Sequence, residues 1–325
     1  MTSPVPKDCR SSSRRVLLTG GTGFIGSALC RKLAGQGDHV IVAARRGGDR
    51  KRLSGISDDL SIMETDLADI GAVADLVART QPDIVFHLAS SVFNPPGLTA
   101  ADHLDANVRS TLSLLEALKE RPDCRLIYTG SAAEYPPGNH LSEDLKPGPV
   151  NVYGAMKACA SLLIDSYARI YGLRAARAVL FTVYGPGEAR HRLVPSVIDA
   201  GFRGRNVVLM DGSVQRDMLF VDDAVDGLCR MGEADLAPGA VINLCSGTGL
   251  PVRHIAEEIL RLMKTSVAIE ERLQDVRPDE IKVVSGENRR ALELLGWQPQ
   301  WSLEDGLGES IAWCRNHEDS TRIGQ

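Results

Sequence analysis

Val16-Leu17-Leu18-Thr19-Gly20-Gly21-Thr22-Gly23-Phe24-Ile25-Gly26 is the stretch that decides how the rest of the chain is read. An apolar run of strand length passes directly into Gly20, Gly23 and Gly26, three residues apart, and then into a helical pattern over 24–33. Without Cβ atoms these glycines let the backbone turn sharply. They also let a phosphate approach the helix N-terminus, where unpaired N–H groups attract anions. Such spacing alone fits any tight strand–turn–helix junction. The strand before it and the helix after it make it an expectation of dinucleotide binding.

Outward from this turn, strand-like and helix-like segments alternate. Strands are expected over 15–19, 40–44, 60–65, 84–88, 126–129 and 176–181, and helices over 104–119 and 153–171. This order predicts an α/β fold: a doubly wound parallel sheet with right-handed crossovers, binding ligands beyond the C-terminal strand ends. After Val183 the pattern loosens. Gly185-Pro186-Gly187 marks a loop, and helices are expected over 253–263 and 303–314. The expected division is a tail over 1–13, a dinucleotide-binding domain over 14–182, a smaller C-terminal α/β substrate lobe over 183–316 with segments returning to the main sheet, and a tail over 317–325.

Composition narrows the function classes. The 325 residues are 43% hydrophobic and 24% charged, as in ordinary globular proteins. A net charge of −5 without a dense basic stripe argues against nucleic-acid binding. The apolar runs are too short to span a membrane, and residues 1–15 lack the apolar core of a signal peptide. Seven cysteines without a Cys-x-x-Cys pair point to free thiols in a reducing cytoplasm. The histidines show no metal-ligand spacing, so no metal site is expected; His87 and His254 read as structural.

Tyr153-Gly154-Ala155-Met156-Lys157 carries the expected chemistry. Residues four apart share a helix face, so phenol and ammonium can enter one site. A cation beside a phenol is expected to lower its pKa and fit it for proton exchange with an alcohol or ketone oxygen, worth ~10²–10⁴ in rate. Ser131, at the end of the 126–129 strand, can hydrogen-bond the reacting oxygen; a turn-capping serine is the plain alternative.

The glycine turn, Ser131, Tyr153 and Lys157 together resemble the extended short-chain dehydrogenase/reductases, and among them the nucleotide-sugar epimerases, dehydratases and 4-keto reductases. The likeness runs from about Val16 to Trp313 and implies a Rossmann sheet, an NAD(P) coenzyme and a nucleotide-diphosphate sugar substrate. By this resemblance Ser131, Tyr153 and Lys157 are catalytic. The coenzyme would meet Gly20, Gly23, Phe24, Ile25, Gly26, Arg45, Arg46, Asp66, Leu67, Leu88, Ala89, Ser90, Asn107, Phe181 and Val183, with Tyr153 and Lys157. The substrate would meet Val92, Thr182, Arg192, Leu193, Met210, Arg216, Arg277 and Glu280, with Ser131. A homodimer is implied as well, through helices bearing Leu112, Leu115, Leu162 and Leu163, although each of these leucines alone fits the core.

Departures from the pattern shape the reaction. The second strand ends Ala43-Ala44-Arg45-Arg46, where NAD-selective folds usually place an acid for the ribose 2′-hydroxyl. Two arginines there favour NADP(H), with NAD as the other possibility; a charge-assisted bond of about 1.5–3 kcal/mol gives roughly 10- to 150-fold selectivity. Dehydratases carry acids directly after the Ser/Thr position, where this chain has Ala132 and Ala133. Glu134, one step on, is expected to point away from Ser131 by strand alternation. Two readings share the same catalytic groups: a reductase of nucleotide-4-keto-6-deoxy sugars, placed first because the strand end looks NADP-like, and a 4-epimerase that retains its coenzyme. A non-catalytic coenzyme sensor on the same fold is the third.

Overall fold

The computed structural model describes residues 13–91, 99–277 and 279–318, the last by its backbone only. Of the expected tails over 1–13 and 317–325, residues 1–12 and 319–325 lie outside these residues, as does Val92, while 317–318 continue the Leu303–Glu318 helix.

Seven strands form one parallel sheet, in the order Ala240–Leu244, Ala175–Leu180, Arg125–Ser131, Ile84–His87, Arg15–Thr19, His39–Ala44, Leu60–Glu64. Alternation sorts the side chains onto two buried faces. Val16, Leu18, Val40, Val42 and Phe86 pack with Leu29 and Leu33 of the Phe24–Gly35 helix and with Leu228 of the Val221–Glu233 helix. Leu17, Ile41, Val85, Leu126 and Tyr128 face Val73, Leu114 and Ile164, from the Ile70–Thr80, Ser110–Leu118 and Val152–Tyr171 helices. Burial on both faces gives the near-continuous apolar strands of a parallel sheet. The Ala240–Leu244 strand, from the second half of the chain, joins its edge.

Expectation and structure differ at 104–119. A π-helical turn over Leu104–Arg109 precedes the α-helix Ser110–Leu118. Polar side chains here bind main-chain carbonyls four residues back: Asn107 Nδ2 donates to His103 O at 2.8 Å, and Ser110 Oγ to Ala106 O at 2.7 Å. Such competition for the helical ladder loosens the turn.

Past Leu180 a small mixed sheet forms. Gln215–Phe220 pairs parallel with Thr182–Tyr184 and Val283–Gly286 and antiparallel with Gly249–Pro251; Gly138–Leu141 completes it. Asp217, fully buried, accepts from the amides of Ser246 at 2.7 Å, Gly247 at 3.0 Å and Gly286 at 3.1 Å. One carboxylate thus clasps three chain segments beside the open ends of the main strands.

Candidate active site

The glycine turn is as tight as its sequence implies. Gly20 has φ +73°, and a Cβ there would lie 2.6 Å from the Ala89 amide nitrogen; one on Gly26 would lie 2.2 Å from Gly20 O. The Phe24–Gly35 helix begins at Gly23 with no side-chain cap and no acid in its first turn. Its leading N–H groups and positive dipole end therefore face outward at the sheet's carboxyl edge, which fits the pyrophosphate of a dinucleotide.

Ser131, Tyr153 and Lys157 converge at the end of the Arg125–Ser131 strand. The Tyr153 hydroxyl shares hydrogen bonds with the side chains of Ser131 and Ser90. Ser90 Oγ also donates to Asn107 Oδ1 at 2.7 Å, and Asn107 Nδ2 donates to Ser91 Oγ at 2.6 Å. The π turn therefore holds Asn107 where it can fix the serine beside the phenol.

The electrostatics correct one expectation. Burial pushes the Tyr153 phenol above its ordinary value, against the opposing pull of the two serine hydroxyls and the Arg192 charge. The Lys157 ammonium lies within the fold, only 2% exposed, and donates to Thr129 O at 2.9 Å; its Nζ lies 4.9 Å from the Tyr128 ring centre. Burial pulls Lys157 down to about 8, with Glu134 acting the other way. Without bound ligand, desolvation outweighs charge neighbours, and the phenol keeps its proton.

Glu134 also differs from its expected course. The chain leaves the strand in a 3₁₀ turn, Ala132–Glu134, so alternation ends at Ser131. Glu134 turns back, and its Oε1 accepts from the Ser131 amide at 2.8 Å while Ser131 Oγ accepts from Ala133 N at 3.2 Å. The carboxylate is buried behind the strand rather than in the site, which leaves Ala132 and Ala133 without an acid facing substrate.

At the second strand end, Arg45 and Arg46 are exposed as the sequence implies, the Arg46 side chain at 95%. The register sets Ala44 opposite Glu64, whose carboxylate lies 3.8 Å from Arg46 Nε and 2.7 Å from an Arg50 nitrogen. The sequence reading missed this acid because it comes from the neighbouring strand. Asp66 accepts from the Ala68 amide at 3.0 Å, and Leu67 packs on the core. Leu88 and Ala89 run against Gly20. Phe181 packs with Tyr135, ring centres 6.4 Å apart, and Val183 lies in the main core.

Among the expected substrate residues, Arg216 and Arg277 meet on one carboxylate: Arg216 bonds Glu280 Oε1, and Arg277 donates to Oε2 at 2.7 Å. Arg216 also donates to Ile281 O at 2.7 Å. Arg192 precedes the Leu193–Phe202 helix without a side-chain capping bond, 3.6 Å from the buried Glu188 carboxylate, and its charge is felt at both Tyr153 and Arg216. Leu193 packs against the core and Thr182 pairs with Met218, while Met210 is half exposed.

Residues 16–245 match the family described as NAD dependent epimerase/dehydratase. The chain belongs to that family. It is 31% identical to a UDP-glucose 4-epimerase of Mycolicibacterium smegmatis over 93% of this chain and 99% of the relative. Among solved structures it resembles the UDP-glucose 4-epimerase of Thermotoga maritima with UDP-glucose: TM-score 0.84, 25% identity, covering 93% of this chain and 98% of the other. It also resembles MoeE5 in complex with UDP-glucuronic acid and NAD: TM-score 0.83, 27% identity, covering 93% and 99%. The extended short-chain dehydrogenase/reductase fold and an enzymatic role follow from this membership. Between the two reactions left open by the sequence, the relatives favour the epimerase over the reductase. Among the described residues no helix is long and apolar enough to cross a membrane.

Proposed function

We propose that this enzyme is a nucleotide-sugar 4-epimerase that keeps its coenzyme through the cycle. Likeness to the Mycolicibacterium UDP-glucose 4-epimerase along almost the whole of both chains carries the choice of reaction. The convergence of Ser131, Ser90 and Tyr153 supports the chemistry. The glycine turn and the open N-terminus of the Phe24–Gly35 helix would hold NAD, which would supply reversible hydride exchange at C4 of the sugar. Tyr153, once it has released its own proton to solvent, would receive the C4 hydroxyl proton and later give it back to the same oxygen, while Ser131 holds that oxygen in line. Lys157 brings positive charge close to the site and favours the phenolate as it forms. Arg216 and Arg277 hold the diphosphate, since guanidinium forks match phosphate oxygens.

The coenzyme reading moves from NADP(H) to NAD. Glu64 bonds Arg50 at 2.7 Å, lies 3.8 Å from Arg46 Nε and sits opposite Ala44, so the second strand's end carries a carboxylate as well as arginines, as NAD-selective folds do. Leu162 and Ile170, 57% and 68% exposed on the Tyr153 helix, support a homodimer, whereas Leu115 is fully buried. Purified protein incubated with UDP-glucose, UDP-N-acetylglucosamine or UDP-glucuronic acid should yield the C4 epimer of one of them by chromatography without added reductant. Turnover only of a 4-keto sugar, with one NADPH consumed per product, would restore the reductase.

A further inference from the structure

Glu134 is buried to 4% exposure within reach of the candidate catalytic groups, and no step above uses it. Its surroundings are specific. Oε1 accepts from the Ser131 amide at 2.8 Å, and Oε2 accepts from Ser161 Oγ at 2.7 Å with an Arg177 nitrogen at 3.9 Å. Ser161 stands one helical turn beyond Lys157, on the same face. A Cβ on Gly130 would lie 2.6 Å from Oε1, so the carboxylate presses against the strand between Thr129, whose carbonyl holds the Lys157 ammonium, and Ser131. Helix face and strand thus bring Glu134 and Lys157 to the same strand end, where each feels the other's charge.

We propose that Glu134 is a positioning residue: ionised, it ties the Ser131 backbone in place and serves as the buried counter-charge of Lys157. Burial pushes the Glu134 carboxyl above its ordinary range, and the Ser161 hydroxyl, the Ser131 amide, Arg177 and Lys157 pull it back. With a donor on each oxygen and a guanidinium at 3.9 Å, the geometry favours the ionised form. The other ionisable groups that feel it, Tyr128, Tyr135 and Tyr153, are phenols held protonated by burial. Asp165 pairs with Arg177 at 2.8 Å and shares that guanidinium. Ala132 and Ala133 precede Glu134, and its buried carboxylate supports the lysine from behind the strand. The link to catalysis rests on the epimerase reading; the link to Lys157 does not.

The test is therefore a titration of Lys157 in protein carrying ¹³C at lysine Cε, followed by NMR without substrate and assigned with Lys157→Met. The wild-type resonance should titrate near pH 8. Glu134→Gln keeps the shape and the acceptor for Ser131 but removes the charge, and should lower that midpoint by about one unit or more. Ser161→Ala strips one donor from the carboxylate and should lower it less, which keeps the test open if Glu134→Gln fails to fold. In kinetics, the pH profile of kcat should move with the same midpoint in Glu134→Gln, and Glu134→Val, which loses the strut as well, should lower kcat further. A Lys157 midpoint unchanged in both Glu134→Gln and Ser161→Ala overturns the proposal. Failure to epimerise any nucleotide sugar would leave the titration readable and count against the reaction alone.

Discussion

Arg216 and Arg277 close on the same carboxylate, each bonding one oxygen of Glu280. Two guanidinium groups held by one acid form a preset fork whose remaining N–H groups suit phosphate oxygens. Arg216→Ala and Arg277→Ala should each raise KM for the nucleotide sugar about 10- to 150-fold, as expected for a lost charge-assisted hydrogen bond. Glu280→Ala should raise KM by slackening both arginines. Steady-state kinetics decide the point, and unchanged KM in both arginine variants removes the assignment.

Tyr153→Phe should lower kcat by ~10²–10⁴ while coenzyme affinity, read by calorimetry, stays close to wild type. Because burial raises this phenol, an ultraviolet difference titration of the coenzyme-free protein should show no tyrosine of depressed pKa assignable to position 153. A phenol ionising near neutrality that vanishes in Tyr153→Phe would contradict the structure.

His87 makes stability fall with acid. Its Nδ1 accepts from Thr19 Oγ1 at 2.6 Å, because the Thr111 hydroxyl proton goes to Asn107 O and leaves Nε2 to donate. Nε2–H donates to Thr111 Oγ1 at 3.1 Å, which in turn donates to Asn107 O. Buried and neutral, with its pKa pulled from 6.5 to about 3 by desolvation and the Lys157 charge, the imidazole refuses a proton that the unfolded chain accepts. Its contribution is complete above pH 6.5 and is lost as pH falls towards 3. Denaturant unfolding should show His87 removing about 2 kcal/mol between pH 8 and 5, and His87→Gln should flatten that slope. Equal slopes in both proteins would show that His87 is not the group responsible.

On the proposed function, coenzyme choice turns on Glu64. Calorimetry should find NAD bound more tightly than NADP, and Glu64→Gln should shift the ratio towards NADP by about 2- to 5-fold, the scale of an exposed ion pair. Tighter NADP binding by the wild type would instead make Arg45 and Arg46 the dominant contacts.

The main sheet was legible because each parallel strand is an apolar run ending at a turn signal; the six expected strands match within two residues at each end. The glycine turn, Ser131, Tyr153 and Lys157 were legible by spacing. The strands of the small sheet were not, since runs such as Thr182–Tyr184 and Gly249–Pro251 are too short for a period to show. The π turn escaped because its cause is side-chain competition for carbonyls, which leaves the apolar periodicity intact. The direction of Glu134 was misread and Glu64 was missed for one reason: each gains its contacts from a neighbouring segment, and no local pattern records which segments become neighbours. The direction of the Tyr153 shift depends on how deeply the pair is buried, which a four-residue spacing does not contain.

The most direct test follows one atom. A UDP-sugar substrate bearing deuterium at C4 is incubated with purified enzyme and no added coenzyme, and the product is read by NMR and mass spectrometry. The epimer should carry the full deuterium complement at C4, inverted in configuration, with none in the solvent. Loss of the label, its appearance in soluble NAD(P)H, or no epimer from any nucleotide sugar would contradict the proposed reaction.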